Sequence, residues 1–488
     1  MKTDGYSKMP GRRFGQPLVL WSVNRMAEKR YEMDMCSGPL LSKILAFTLP
    51  LILSSVLQLL FNAADVIVVG RYAGSTALAA VGSTGALINL IVNLFMGLSV
   101  GVSVTVARHY GAREYTDVAH AVHTSVFMSL LGGIAVGAFG FLMAKPLLTL
   151  MGSPADVIDQ AALYVRIYFI GMPASMLYNF GSAILRAVGD TKRPLYYLSA
   201  AGVLNVLLNL LFVIRFSMGV AGVALATILS QYVSAALILT CLMRSESCYQ
   251  LHLGALSFHK AEVRSIIRIG LPAGLQSSLF AISNVVVQSS INSFGSVAMA
   301  GSAAAANIEG FVYVSMNSVA QASLSFTSQN IGARQYERIG KICRTCLLLA
   351  ALLGLLLGNG AYLLRDVLLG LYSPDPAVIE AGAARLLVIG STYFLCGMMD
   401  TLACMLRAMG RSLLPMVVTI IGACGLRILW IYTVFPLDRT FFTLFLSYPI
   451  TWGVTGAVHA VCYLVTKKQL LRRAREEGAL DPAAVNAS

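Results

Sequence analysis

Twelve separate runs of this chain are apolar for long enough to cross a lipid bilayer, and no soluble fold accommodates that. A helical span needs roughly 20 apolar residues. The runs lie at about 44–69, 78–107, 118–143, 157–185, 195–214, 220–243, 265–293, 297–328, 338–363, 377–406, 413–435 and 441–465. Those longer than 25 residues must tilt or protrude from the bilayer. Composition agrees, since 57% of the 488 residues are hydrophobic and only 12% charged, against about 25% charged in a soluble domain. The expected fold class is an all-α polytopic membrane protein with 12 transmembrane helices.

The net charge of +14 raises the question of nucleic acid, whose binding needs a basic face on a folded soluble domain. Here the basic residues sit between apolar runs, so the expected partner is the lipid bilayer and no nucleic acid. Most of the 36 Lys and Arg residues fall in the two termini and the five loops on their side. Among them are Arg108, Arg113, Lys192, Arg193, Lys260, Arg264, Arg268, Arg334, Arg338, Lys341 and Arg411. The opposite loops are short and nearly uncharged. By the positive-inside rule both termini are cytoplasmic, in a multi-pass protein of the cell (plasma) membrane. The nine cysteines imply no disulfide framework. Cys343 and Cys346 form one CxxC, but a structural zinc site needs four ligands, so they read as packing residues. Pro17 to Val23 is too short for the apolar core of a signal peptide.

The chain repeats itself at a spacing of about 221 residues. "TLP" at Thr48–Pro50 returns as "GLP" at Gly270–Pro272, and "HYGAREY" at His109–Tyr115 as "NIGARQY" at Asn330–Tyr336. "LMGSP" ending at Pro154 returns as "GLYSP" ending at Pro374, and "ILRAVG" at Ile184–Gly189 as "MLRAMG" at Met405–Gly410. The small-xxx-small pair Gly133 and Gly137, suited to close helix packing, returns at Gly354 and Gly358. Charged loop motifs matching in order at one offset are not explained by apolar composition. Six spans per copy make the repeats parallel, related by an axis along the membrane normal. The expected organisation is a basic cytoplasmic segment at 1–35, a six-helix bundle at 36–245, a linker at 246–262, a second six-helix bundle at 263–466 and a basic tail at 467–488. The two bundles form a central cleft that opens to either side in turn.

"LPLILSSVLQLLFNAADVIVVG" in the first span, "GAREY" and "GARQY" after spans two and eight, and the "LRAVGDTKRP" and "LRAMGRSLLP" pair after spans four and ten resemble the multidrug and toxic compound extrusion (MATE) family. The branch looks DinF-like. The resemblance runs from about Met33 to Leu470 and implies export of organic, often cationic compounds in exchange for Na⁺ or H⁺. "MDMCSGPL" from Met33 reads like a usual family start. Two readings stay open for the residues before it: an over-called start, or a basic tail near anionic headgroups.

Polar residues inside spans are costly and ask for a reason. In span one Gln58, Asn62 and Asp65 share a helix face at i, i+4, i+7. Asn205 and Asn209 stand at i, i+4 in span five, and Thr227 and Gln231 do so in span six. The resemblance implies a cation site at Asp65, Asn205, Asn209 and Thr227. It departs from the family at Asn209, where an Asp is usual; the change removes a charge and a protonatable group but keeps a carbonyl oxygen for a hard cation. The opposing reading is that Asp65 only hydrogen-bonds neighbouring helices.

In the second copy Glu309, Asp400 and Arg427 are ionisable groups expected to pair with one another. They read either as a second coupling or substrate site or as a salt-bridged lock. The drug cleft is expected to use aromatics, Met and amides; the candidates are Gln58, Asn62, Phe61, Tyr178, Phe280, Asn284, Tyr313 and Met316. His109, His120, His123 and His459 are scattered, and no metal is expected beyond the Na⁺ site. No G-x-x-x-x-G-K-[ST] loop is present, so transport would draw on an ion gradient or a partner. No G-x-S-x-G or H-E-x-x-H motif is present either, so no enzyme and no cofactor are expected. The chain is expected to act as a monomer. The alternative function is a lipid-linked sugar flippase of related architecture, which would need a strongly cationic cavity.

Overall fold

The computed structural model describes residues 31–151 and 157–477; the segment before Tyr31 and the end of the basic tail lie outside the described residues. The first half comprises α1 (Leu40–Tyr72), α2 (Ser75–Ala112), α3 (Tyr115–Leu150), α4, α5 (Lys192–Arg215) and α6 (Gly219–Arg244). α4 is a pair of segments, Ile158–Ile170 and Met172–Ala187, bent by 47°. Pro173 sits at the start of the second segment, where its missing N–H and its ring break the ladder. The second half comprises α7 (Lys260–Asn292), α8 (Ser296–Gly332), α9 (Tyr336–Leu363), α10 (Pro376–Ala408), α11 (Leu413–Thr433) and α12 (Phe441–Glu476). These are the twelve expected spans. Eleven are single helices apolar and long enough to cross a membrane, and the bent pair makes the twelfth.

The repeat is written into the backbone. The positive-φ residues Gly74, Arg113 and Gly189 of the first half match Gly295, Arg334 and Gly410 of the second, each ending or starting a helix at the same place. The small-xxx-small pairs also do the same work twice. Gly133 lies on Pro173 and Gly137 on the Phe169 carbonyl, so α3 meets the bend of α4; Gly354 lies on Phe394 and Gly358 on the Gly390 carbonyl, so α9 meets α10. Cys343 and Cys346 are buried in α9, as packing residues should be.

The halves meet through α1, α2, α7 and α8. α2 crosses α7 with Gly97 and Gly101 against Gly270 and Gly274, backbone on backbone. α2 crosses α8 reciprocally, Gly111 on the Gln329 backbone and Gly332 on that of Arg108. Two hydrogen bonds repeat this symmetry: Arg108 Nη2 donates to the Ala408 carbonyl, and Gln329 Nε2 donates to the Ala187 carbonyl at 2.6 Å. Phe47 meets Phe326 edge-on at 5.7 Å, and His109 Nε2 lies 3.4 Å from Glu262. All of these contacts lie toward the side that bears the start of α1 and the end of α12. Among the described residues, hydrogen bonding across the interface reaches as far as the Ser278 hydroxyl on the Leu90 carbonyl, 3.2 Å. Beyond that level Asn62 and Asn284 are exposed. Gly97→Ala should force the α2 and α7 backbones apart and cost about 1–3 kcal/mol, a thermal midpoint lowered by several degrees in detergent. Gly82→Ala in the same helix, where a Cβ meets nothing, should leave the midpoint unchanged.

Candidate functional site

A polar cluster joins α1 to α5. Asn209 is fully buried and Asn205 nearly so, while Asp65 is half-buried. Asn209 Nδ2 donates to Asp65 Oδ1 and, at 3.3 Å, to Asn205 Oδ1. The approach of the two helices is set one turn earlier, where the Phe61 ring lies flush on Gly202. Directly after Asn209 the helix widens into π-turns over Leu210–Arg215. Such turns leave carbonyls out of the regular ladder and recur at functional sites. Tyr164, buried on α4, lies within electrostatic reach of Asp65. Among the described residues Asp65 makes no ion pair with a base.

Among the described residues the buried Asn209 Oδ1 has no hydrogen-bond donor, although a buried acceptor without a partner is costly. An oxygen of this kind beside a carboxylate and a second amide oxygen suits a hard cation, or a donor made by protonating the acid. Asp65, Asn205 and Asn209 are therefore brought together as expected. Thr227 is not joined to them: its hydroxyl donates to the Val223 carbonyl of its own helix at 2.9 Å.

The expected trio of Glu309, Asp400 and Arg427 does not form. Glu309, on α8, is held bidentately by Arg385 on α10, Nε to Oε1 at 2.9 Å and Nη2 to Oε2 at 2.8 Å. Arg385 Nη1 also donates to the Ser302 hydroxyl at 2.7 Å. Both side chains are more than nine-tenths buried. Arg427 is fully buried without an acid. Its Nη1 donates to Asn284 Oδ1 at 3.1 Å, and its guanidinium lies 4.1 Å from the Tyr448 ring centre and 5.4 Å from that of Phe280. Two aromatic faces and an amide stabilise the cation in place of a carboxylate. Asp400 is only half-buried and faces the Tyr313 hydroxyl and Arg407.

Sequence reasoning missed Arg385. It stands at the repeat position of Tyr164, so the two halves place different groups at one site: a phenol near Asp65, and a guanidinium on Glu309.

A family model for MatE matches residues 50–211 and again 272–433, once in each half. This chain belongs to the MatE family. Two relatives from Bacillus subtilis carry descriptive names: the probable multidrug resistance protein YoeA, 28% identical over 78% of this chain and 84% of its own length, and the probable multidrug resistance protein YpnP, 29% identical over 81% and 88%. A solved structure described as the outward-facing conformation of a multidrug resistance MATE family transporter of the MOP superfamily superposes with TM-score 0.84 at 23% identity, covering 90% of this chain and 98% of that one. That likeness carries the fold.

The remaining cleft candidates of this MatE chain divide. Gln58, Asn62 and Asn284 are exposed, and Tyr313 is 38% exposed. Phe280 is half-buried beneath Arg427. Tyr178 donates its hydroxyl to the Pro194 carbonyl at 3.0 Å and so ties α4 to α5. Met316 is a correction: only 1% exposed, its thioether fills the space left by Gly354 and Gly397 between α9 and α10. It packs the second half and lines no cleft.

Proposed function

We propose that this protein exports organic, often cationic small molecules by secondary active transport, with Na⁺ or H⁺ entering the cell in exchange. The observation that carries the reading is Asp65: an acid inside a span, bonded to the Asn209 amide and, among the described residues, to no base. Intramembrane acids are functional by default because keeping them there costs about 2.5–3.5 kcal/mol on insertion scales. An unpaired one can take up and release a cation without first breaking a salt bridge. Among the described residues the hydrogen bonds between the halves lie toward one side, the arrangement in which one of two alternating states is poised. A cation that binds the two arrangements unequally shifts their populations, and so couples to a substrate that does the same.

The basic loops support cytoplasmic termini in the plasma membrane. One chain holds both halves, so a monomer suffices. The drug class is supported by the multidrug resistance names of the two relatives. A flippase reading needs a strongly cationic central cavity between the halves, whereas Arg385 is neutralised by Glu309 and Arg427 is sealed between rings. The test is uptake of a fluorescent organic cation into inside-out proteoliposomes under Na⁺ and H⁺ gradients imposed separately. Uptake with either gradient supports antiport; accumulation in neither would overturn it.

A further inference from the structure

The two halves treat one corner of the repeat differently. In the first half the turn at Gly189 is covered by the chain itself. Met33 lies on Gly189, and the Tyr31 ring lies 5.2 Å from the Arg193 guanidinium. The Glu32 carboxylate accepts from the Tyr110 hydroxyl at 3.1 Å, the Ser247 hydroxyl at 2.7 Å and the Tyr249 hydroxyl at 3.1 Å. Asp190 adds a second acid, paired with Arg193.

In the second half the matching turn at Gly410 borders an open cavity of about 460 Å³ between α7, the α10–α11 turn and α12. Arg411 stands where the first half has Asp190, and Arg268 faces it from α7. Arg108, from the other half, reaches the rim at Gly410 and repels Arg268. Its buried Nε has no acceptor. Among the described residues none of these three arginines makes an ion pair, and no carboxylate lines the cavity. The remaining wall is partly polar, with Thr466 and Gln469, whose Oε1 accepts from Arg411 Nη2 at 3.4 Å, and partly apolar and turned outward: Leu413 is 60% exposed, Val461 60% and Val465 51%. Like charges gathered beside lipid-facing apolar surface ask for an anion that carries its own apolar chain.

We propose that this cavity binds the phosphate headgroup of an anionic phospholipid, Arg268 and Arg411 holding the phosphate while the acyl chains lie along Leu413, Val461 and Val465. The lipid supplies from outside the negative charge that Asp190 supplies to Arg193 within the first half. Because Arg108 belongs to the first half, the bound anion also strengthens the contact that closes the terminus-bearing side.

The test is native mass spectrometry of the full-length protein released from nanodiscs of phosphatidylglycerol or of phosphatidylcholine. Wild type should retain a phosphatidylglycerol that the double variant Arg268→Gln/Arg411→Gln holds roughly 30-fold less tightly, about fivefold for each arginine lost. Arg411→Asp alone, which copies the first half, should weaken retention at least as much as losing that arginine's charge. Lys341→Gln/Arg344→Gln, with the same charge change on α9, should retain it as wild type does. Equal retention by the double variant, or equal retention of phosphatidylcholine by wild type, would overturn the site. Displacement of the lipid by millimolar inorganic phosphate would overturn its assignment to a lipid.

Discussion

Asp65→Asn should reach the membrane in wild-type amounts, still bind substrate, and fail to accumulate it against a gradient. The substitution keeps the volume and leaves an amide oxygen to accept from Asn209, so the α1–α5 contact survives. It removes the charge and the proton-binding group and leaves only a neutral amide oxygen. A potential of 100 mV contributes about 2.3 kcal/mol per charge moved, so a cycle that carries one net charge inward sustains roughly 50-fold accumulation. In the variant that ratio should fall to near one in proteoliposomes. Asn209→Asp is the informative contrast. It adds an acid beside Asp65 where the site already has an unpartnered oxygen, and should keep transport while tightening Na⁺ binding. Loss of the folded protein in Asp65→Asn would favour the structural reading, in which Asp65 merely ties two helices together.

The second large effect lies in the other half and concerns folding. Arg385→Leu strands the Glu309 carboxylate, more than nine-tenths buried, without its bidentate partner. Breaking such a pair from one side costs about 3–5 kcal/mol, whereas replacing both members with apolar residues of similar volume is often neutral. Arg385→Leu should therefore lower the detergent melting midpoint sharply and cut membrane yield, and Arg385→Leu/Glu309→Leu should recover both. If the double variant folds but does not transport, the pair has a role in the cycle beyond holding α8 to α10. If the single variant melts like wild type, the lock is not structural.

What the residues disclosed followed from how local each signal was. Span length and loop charge are properties of single segments, and the repeat is a comparison of the chain with itself, so the twelve helices and their two-fold arrangement were legible. Asn205 and Asn209 were legible as one helix face, and Asp65 as an isolated acid. The pairing of Glu309 was not, because α8 and α10 meet by tertiary packing and no spacing encodes which base arrives opposite. Arg385 sits in "GAARLLV", an apolar run where its single charge is diluted. Aligning it with Tyr164 would have exposed it as a polar position in both halves. Met316 looked like a flexible cleft residue until Gly354 and Gly397 were seen to leave room for it inside the bundle. Thr227 carried the right side chain at the expected position, yet its hydroxyl is satisfied by its own helix.

If Asp65 holds the coupling cation and gives it up as substrate binds, adding substrate must free that cation. The release is followed on purified protein in weakly buffered detergent solution, with a pH indicator for H⁺ and with retained ²²Na⁺ for Na⁺. Wild type should release one of the two ions in proportion to substrate bound, and Asp65→Asn should bind substrate with no release of either. Equal release from both proteins would place the coupling ion elsewhere, with half-buried Asp400 the next residue to examine.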